Sequence, residues 1–217
     1  MYYLRSADII TLFRIILVFF ILYFVIIKLN SIIIIFILLI MFALDGVDGF
    51  AAVKEAGKLN NKKITFVKYI KAAIGNQKYK KEIIELKQNI TKLSKYGPRL
   101  DVAGDRIIEY SFWILFTYLN IIPLFVILII IVRNSFADAL MAAKGTSAKL
   151  KSKFARRLYS SNISRASSSI LKILTFSYLI IVYINGYPIL PGFVLVALLV
   201  IFIVIRGISE VYEGIIN

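Results

Sequence analysis

Four aspartates in two spaced pairs are the residues of this sequence best suited to chemistry, namely Asp45, Asp48, Asp101 and Asp105. Spacings of three and four residues place each pair on one face of a helix. Two such faces turned toward each other would form a cluster of carboxylates that repel one another and are costly to desolvate. A bound pair of divalent cations removes that cost. Such a pair suits phosphoryl and diphosphate chemistry, because it holds phosphate oxygens and stabilises the leaving group.

The plain alternative is that these acidic residues are solvated helix caps and that the glycines beside them only help helices pack. Gly46, Gly49 and Gly104 flank the carboxylates in the two segments. Two matched pairs with interleaved glycines favour the shared-metal interpretation over coincidental caps.

Residue types that are missing narrow the chemistry further. The 217 residues include no cysteine and no histidine. Disulfides, thiolate catalysis, imidazole metal ligands and histidine-activated nucleophiles are therefore excluded. Carboxylate oxygens without imidazole or thiolate favour hard cations over Zn²⁺, so we expect Mg²⁺ or Mn²⁺ as the cofactor.

The elements that position the aspartates are predicted to be membrane helices. Hydrophobic residues make up 60% of the chain, which exceeds the half or so that is usual in soluble domains. They are concentrated in runs long enough to cross a bilayer. We expect one all-α integral membrane domain, 1–217, with six transmembrane helices at Ile9–Lys28, Ser31–Phe50, Gly97–Leu119, Ile121–Leu140, Leu171–Ile184 and Ile189–Ile205.

The distribution of basic residues predicts the topology. Val53–Arg99 contains thirteen Lys/Arg and Lys144–Lys172 contains eight, and cytoplasmic loops carry such an excess. An even number of crossings must then separate these segments, which requires a turn at Asn120–Pro123 and places both termini in the cytoplasm. The net charge of +15 indicates attraction to anionic membrane lipids rather than to nucleic acid. We expect a multi-pass protein of the cell membrane.

The two aspartate pairs resemble the motif of the CDP-alcohol phosphotransferase family, D-x-x-D-G-x-x-A-R-x8-G-x3-D-x3-D. This chain supplies the motif in order at Asp45, Asp48, Gly49, Ala52, Gly97, Asp101 and Asp105. Thr11 and Arg14 also fit a Thr-x-x-Arg that the family often has near the start of its first span. The family's six membrane helices, with the active site on the cytoplasmic side, agree with the topology predicted above.

The chain departs from the family motif at two points. Val53 stands where the motif has its arginine, so a phosphate contact is either missing or supplied by Lys54. Between Ala52 and Gly97 the chain has 44 residues, far more than the motif allows. We expect 53–96 to be a basic cytoplasmic insertion between the second and third spans. Loop-closure entropy rises slowly with length, so this insertion can leave the site whole in space.

The resemblance implies a role for each matching residue. The metal ligands would be Asp45, Asp48, Asp101 and Asp105. The nucleotide-binding residues would be Thr11, Gly49, Ala52 and Gly97. Asp105 would also be the general base that takes the proton from the acceptor hydroxyl. The reaction, a step of phospholipid biosynthesis, would transfer a phospholipid group from a CDP-lipid donor to a small alcohol and release CMP. The resemblance also implies a homodimer.

The insertion is expected to contain two helical pieces, near Lys62–Ile74 and near Tyr79–Lys95, joined by a turn at Gly75-Asn76-Gln77. Apolar residues recur at helical spacing in each piece, and each piece has a basic face. That pattern suits helices lying on an anionic membrane surface. It suits equally a solvated helical hairpin packed on itself.

Arg133 is the basic residue that we expect to contact the acceptor alcohol. It lies at the cytoplasmic end of the fourth predicted span, where the family often has a basic residue. Such a residue would suit a phosphorylated acceptor, such as glycerol phosphate or inositol phosphate. For the lysines and arginines that follow it, simple anchoring at the cytoplasmic face is the better interpretation.

Two other functions stay open at this point. A membrane prenyltransferase also pairs two Asp-rich motifs around Mg²⁺ and diphosphate, although such enzymes resemble longer bundles than this chain provides. A cation transporter would use intramembrane carboxylates as its ion path. All four aspartates are predicted at one membrane face and none at mid-membrane, which disfavours a transporter.

Overall fold

A computed structural model of the chain describes residues 5–74, 79, 81–86, 97–144 and 162–216. Within these ranges every regular element is a helix and no strand is present. The helices are α1 (Ser6–Ile26), α2 (Ser31–Leu59), α3 (Phe66–Ile74), α4 (81–86), α5 (Gly97–Tyr118), α6 (Leu124–Lys144), α7 (Asn162–Asn185) and α8 (Leu190–Ile216). The all-α prediction is confirmed for this part of the chain.

Four of the described helices are long and apolar enough to cross a membrane. These candidate spans are Ser6–Ile26, Ser31–Lys58, Ser164–Asn185 and Leu190–Ser209. They correspond to the first, second, fifth and sixth predicted spans and support a membrane protein. The third and fourth predicted spans are also helices, α5 and α6, but the total of six crossings stays a prediction.

The breaks between the long helices fall at or between the ends of the predicted spans, and one of them is the predicted turn at Asn120–Pro123. Lys28 follows α1 with φ 53°, Asn120 separates α5 from α6 with φ 56°, and Gly186 separates α7 from α8 with φ 70°. This left-handed conformation commonly ends a helix, because it turns the chain while the last carbonyls still accept hydrogen bonds. After α1, for example, the Leu29 N–H donates to the Phe24 carbonyl at 2.9 Å.

The second helix is longer than the predicted second span. α2 continues past Phe50, where the second span was expected to end, as far as Leu59. Val53 is therefore a fully buried helical residue and not the first residue of a loop. The helix ends at a left-handed cap, in which Asn61 has φ 53° and the Lys62 N–H donates to the Gly57 carbonyl at 2.8 Å.

The insertion packs on itself and against the end of α2. Its apolar core, here called the insertion core, consists of Val53, Ala56, Ile64, Ala72, Ile83 and Leu86. Burying these side chains stabilises α3, which at nine residues is too short to be a stable helix by itself. The structure thus shows the self-packing that the hairpin interpretation requires. The predicted turn at Gly75-Asn76-Gln77 and the second piece beyond residue 86 lie outside the described residues.

The chain divides into two compact units. The first consists of Met1–Tyr23 and Phe36–Glu109, and the second of Phe24–Ile35 and Tyr110–Asn217. In the second unit α8 packs along both α6 and α7. Aromatic side chains from α5 and α7 fill the centre of the second unit, and Phe112 stacks on Phe176 with ring centroids 4.6 Å apart. The predicted metal ligands all lie in the first unit.

Candidate metal site

Three helices of the first unit bring aspartates together around one arginine. Arg14 comes from α1, Asp45 and Asp48 from α2, and Asp105 from α5. Arg14 Nη2 lies 2.8 Å from Asp45 Oδ1 and 3.1 Å from Asp105 Oδ1. Arg14 Nη1 lies 3.0 Å from Asp48 Oδ2. The acidic ends of the two segments therefore meet, which the shared-metal interpretation requires.

The members of this cluster differ in how deeply the fold buries their side chains. The side chains of Arg14 and Asp48 are 4% and 9% exposed, whereas those of Asp45 and Asp105 are 40% and 48% exposed. A charged side chain inside a membrane helix needs a partner of opposite charge. Arg14 and Asp48 neutralise each other in the interior, while the other two carboxylates remain accessible to a ligand.

A second grouping of the aspartates fits a metal ion. Asp45, Asp101 and Asp105 each offer a carboxylate oxygen, and these oxygens lie within 4.8 Å of one another. Ligands on opposite sides of Mg²⁺, with bonds of about 2.1 Å, are about 4.2 Å apart. Side-chain rotations would be needed to bring all three oxygens into contact with one ion. An all-oxygen donor set suits Mg²⁺ or Mn²⁺.

Gly104 is the residue that allows α5 to approach α1. A Cβ atom at Gly104 would lie 2.6 Å from Thr11 Cγ2, which is far inside contact distance. Because Gly104 precedes Asp105, this close approach also brings the carboxylate within reach of Arg14. Thr11 is buried, and its hydroxyl donates to the Ala7 carbonyl of its own helix at 3.2 Å. The structure thus gives Thr11, predicted to bind nucleotide, a packing contact with α5 beside the aspartate cluster.

Gly49 likewise allows the insertion to approach α2 closely. A Cβ atom there would lie 2.7 Å from Tyr69 Oη, whereas one at Gly46 would meet nothing within 4 Å. The insertion therefore places a tyrosine beside the residue that follows Asp48. Ala52, also predicted to line the nucleotide pocket, is half-buried and packs against the insertion core.

Two predicted site residues remain, Gly97 and Arg133. Gly97 is the first residue of α5. Arg133 belongs to the second unit, where its Nε donates to the Ile203 carbonyl of α8 at 3.0 Å. Arg133 Nη1 also donates to Asn134 Oδ1 at 2.7 Å, and Gly207 leaves room for the arginine against α8. Arg133 thus joins α6 to α8, and its contact with an acceptor stays a prediction.

The motif did not predict two residues of this region. Arg14 is part of the Thr-x-x-Arg match, which gives it no place in the carboxylate cluster. Tyr69 is not part of any motif. The signal for Arg14 was present, because an arginine well inside the apolar run Ile9–Lys28 requires an acidic partner. No sequence signal pointed to Tyr69, whose position depends on how α3 packs on α2.

Comparisons with known proteins add no relative. No protein-family model, curated protein or solved structure matches this chain. The functional assignment therefore depends on the residues and geometry described above.

Proposed function

We propose that this chain is a metal-dependent transferase of the CDP-alcohol phosphotransferase type. It would transfer a phospholipid group from a CDP-activated lipid to an alcohol and release CMP. The observation that carries the proposal is the group of three carboxylates, Asp45, Asp101 and Asp105, with oxygens within 4.8 Å of one another. Two of them belong to a motif-like segment of α5 and one to α2, a candidate membrane span. If the site lies near the membrane surface, a lipid-bound diphosphate would reach them there.

The proposed chemistry divides the cluster by exposure. Asp45, Asp101 and Asp105 would hold Mg²⁺ or Mn²⁺, which supplies positive charge to the diphosphate and to the departing CMP. Asp105, half exposed and fixed by Arg14 at 3.1 Å, would accept the proton of the acceptor hydroxyl. The hydroxyl oxygen bonds to the lipid-side phosphorus, the bond from that phosphorus to the CMP oxygen breaks, and CMP leaves with the electron pair.

Arg14 and Asp48 would act by positioning in this scheme. Their buried ion pair fixes α1 against α2, and Arg14 Nη2 contacts both Asp45 and Asp105. A rigid arrangement of this kind holds the ligands near their productive geometry before substrate binds. We further propose that the chain crosses the membrane six times and that it forms a homodimer. Both termini and the aspartate cluster would lie at the cytoplasmic face.

The test is a CMP-release assay on the purified chain in lipid with Mg²⁺ or Mn²⁺. CDP-lipid is supplied with serine, glycerol phosphate, inositol phosphate or an amino alcohol in turn. We expect metal-dependent CMP release with one acceptor class. The Asp105→Asn variant should release CMP about 10²-fold more slowly than the natural chain, or slower still. Glu85→Gln, which removes an exposed carboxylate of the insertion, is the matched control and should retain the rate.

Several results would contradict the proposal. Full activity of Asp105→Asn would remove the assigned base. Absence of CMP release with every acceptor, together with turnover of an isoprenyl diphosphate, would favour a prenyltransferase. Metal flux into liposomes without CMP release would favour a cation transporter.

A further inference from the structure

Helix α3 exposes apolar side chains on the side that faces away from the insertion core. Ala72 belongs to that core and Tyr69 packs against it. Phe66, Val67 and Ile70, in contrast, are 50%, 59% and 39% exposed. At about 100° per residue these three side chains share one arc of the helix. Together the three side chains form one contiguous apolar arc on the exposed side of α3.

Lysines border the same arc. Lys71 lies next to it on the helical wheel and is exposed, Lys68 follows and is half-buried, and the exposed Lys63 precedes the helix. A short helix with an apolar arc and an adjacent basic edge has the pattern of an element that lies in a membrane interface. The lysine stems can run along the apolar surface while their ammonium groups reach phosphates.

If α2 crosses the bilayer, the packing of α3 on α2 would place this arc at the depth of a bilayer surface. The Phe66 ring contacts the Phe50 ring with centroids 5.2 Å apart, and the Tyr69 ring contacts it at 5.7 Å. The candidate span Ser31–Lys58 has 28 residues, about 42 Å at 1.5 Å per residue. A hydrocarbon core is only about 30 Å thick. If the span starts near Ser31, it leaves the hydrocarbon near Phe50, which is where α3 packs.

We propose that α3 docks on an anionic membrane surface, with Phe66, Val67 and Ile70 in the acyl boundary and Lys63, Lys68 and Lys71 at the headgroups. A lipid surface fits this arc better than a second copy of the chain, because a symmetric contact would bring the same lysines face to face. The proposal depends on α2 crossing the bilayer and does not depend on the transferase function. Docking would hold the insertion, and with it Tyr69, beside Gly49 of the aspartate segment.

A spin label on α3 measures this docking directly. The chain contains no cysteine, so Val67→Cys provides a unique labelling site. Glu85→Cys, at a residue whose side chain is 69% exposed, is the matched control in α4. Each labelled chain is reconstituted in vesicles of phosphatidylcholine with phosphatidylglycerol, and collisions with oxygen and with a water-soluble nickel complex are compared. Unchanged helical content and melting temperature show that both variants fold.

We expect the label at residue 67 to collide mainly with oxygen and the label at residue 85 mainly with the nickel complex. Replacing Lys63, Lys68 and Lys71 with glutamine should raise the collision rate of the label at residue 67 with the nickel complex and lower its collision rate with oxygen. The reason is that each lysine contributes about a fivefold factor to binding of an anionic surface. Vesicles of phosphatidylcholine alone should have the same effect.

Three results would overturn the proposal. The first is equal nickel accessibility at residues 67 and 85. The second is an oxygen-dominated signal at residue 67 that does not change with the lysines or with anionic lipid. The third is dipolar broadening between labels at residue 67 of two chains, which would show that a second copy covers the arc.

Discussion

Replacing Arg14 with glutamine should destabilise the protein chiefly through the carboxylate that it leaves buried. Arg14 contacts three aspartates, but only Asp48 shares its burial, with side chains 4% and 9% exposed. Asp45 and Asp105 are about half exposed, so the fold encloses their carboxylates far less than that of Asp48. The unpaired charge of Asp48 inside the first unit is therefore the main cost.

The expected magnitude follows from these exposures. Removing one partner of a buried ion pair typically costs about 3–5 kcal/mol, whereas each half-exposed pair contributes about 1 kcal/mol or less. In a chain of this length 1 kcal/mol corresponds to about 2–4 °C in melting temperature. We expect Arg14→Gln to lower the melting temperature by about 6–20 °C. Arg14→Lys keeps the positive charge but lacks the planar guanidinium group that can contact two carboxylates at once. Its melting temperature should therefore lie between those of Arg14→Gln and the natural chain.

The decisive comparison is a double-mutant cycle with Asp48→Asn, measured by thermal unfolding in lipid nanodiscs containing a metal chelator. Asp48→Asn removes the buried negative charge at nearly constant volume. If the two charges neutralise each other, Arg14→Gln should lower the free energy of unfolding much less in the Asp48→Asn background than in the natural chain. The coupling energy between the two substitutions should be about 1–3 kcal/mol. Additive losses, or an Arg14→Gln variant as stable as the natural chain, would refute the buried pair.

The close approaches at two glycines give further predictions. Gly104→Ala should cost about 1–3 kcal/mol from overpacking, and adding Thr11→Ser, which removes only the obstructing Cγ2, should restore most of this loss in thermal unfolding. Gly49→Ala should be destabilising in the same assay and should be rescued by Tyr69→Phe. Gly46→Ala, in open space, is the matched control and should be neutral or stabilise by up to about 1 kcal/mol. Failure of both rescues would contradict the described packing of α1 on α5 and of α3 on α2.

The long helices and their turns could be predicted from the sequence because local signals specify them. Apolar runs set the length of α1 and α2, and the polar break at Lys28-Leu29-Asn30 ends the first before the second begins. The extension of α2 beyond Phe50 could not be predicted in this way. Two glycines and two aspartates near residues 45–49 resemble a helix end, but burial of Val53 in the insertion core outweighs their low helix propensity.

The candidate site was predictable to a similar degree. Helical spacing placed each aspartate pair on one face, and the shared-metal interpretation required the two faces to meet, which they do around Arg14. Which aspartate pairs with Arg14 in the interior, and which aspartates can hold a metal, was not predictable. The answer depends on which face of α1 turns toward α2. That rotation assigns Asp48 to Arg14 and leaves Asp101, with two other aspartates, in the group that can hold a metal.

Binding of Mn²⁺ to the purified chain, followed by electron paramagnetic resonance, tests most directly whether Asp45, Asp101 and Asp105 share a divalent cation. We expect saturable binding that Mg²⁺ displaces, that Asp101→Asn abolishes and that Glu85→Gln preserves. Equal Mn²⁺ binding by these two variants, or no saturable binding by the natural chain, would contradict the metal site.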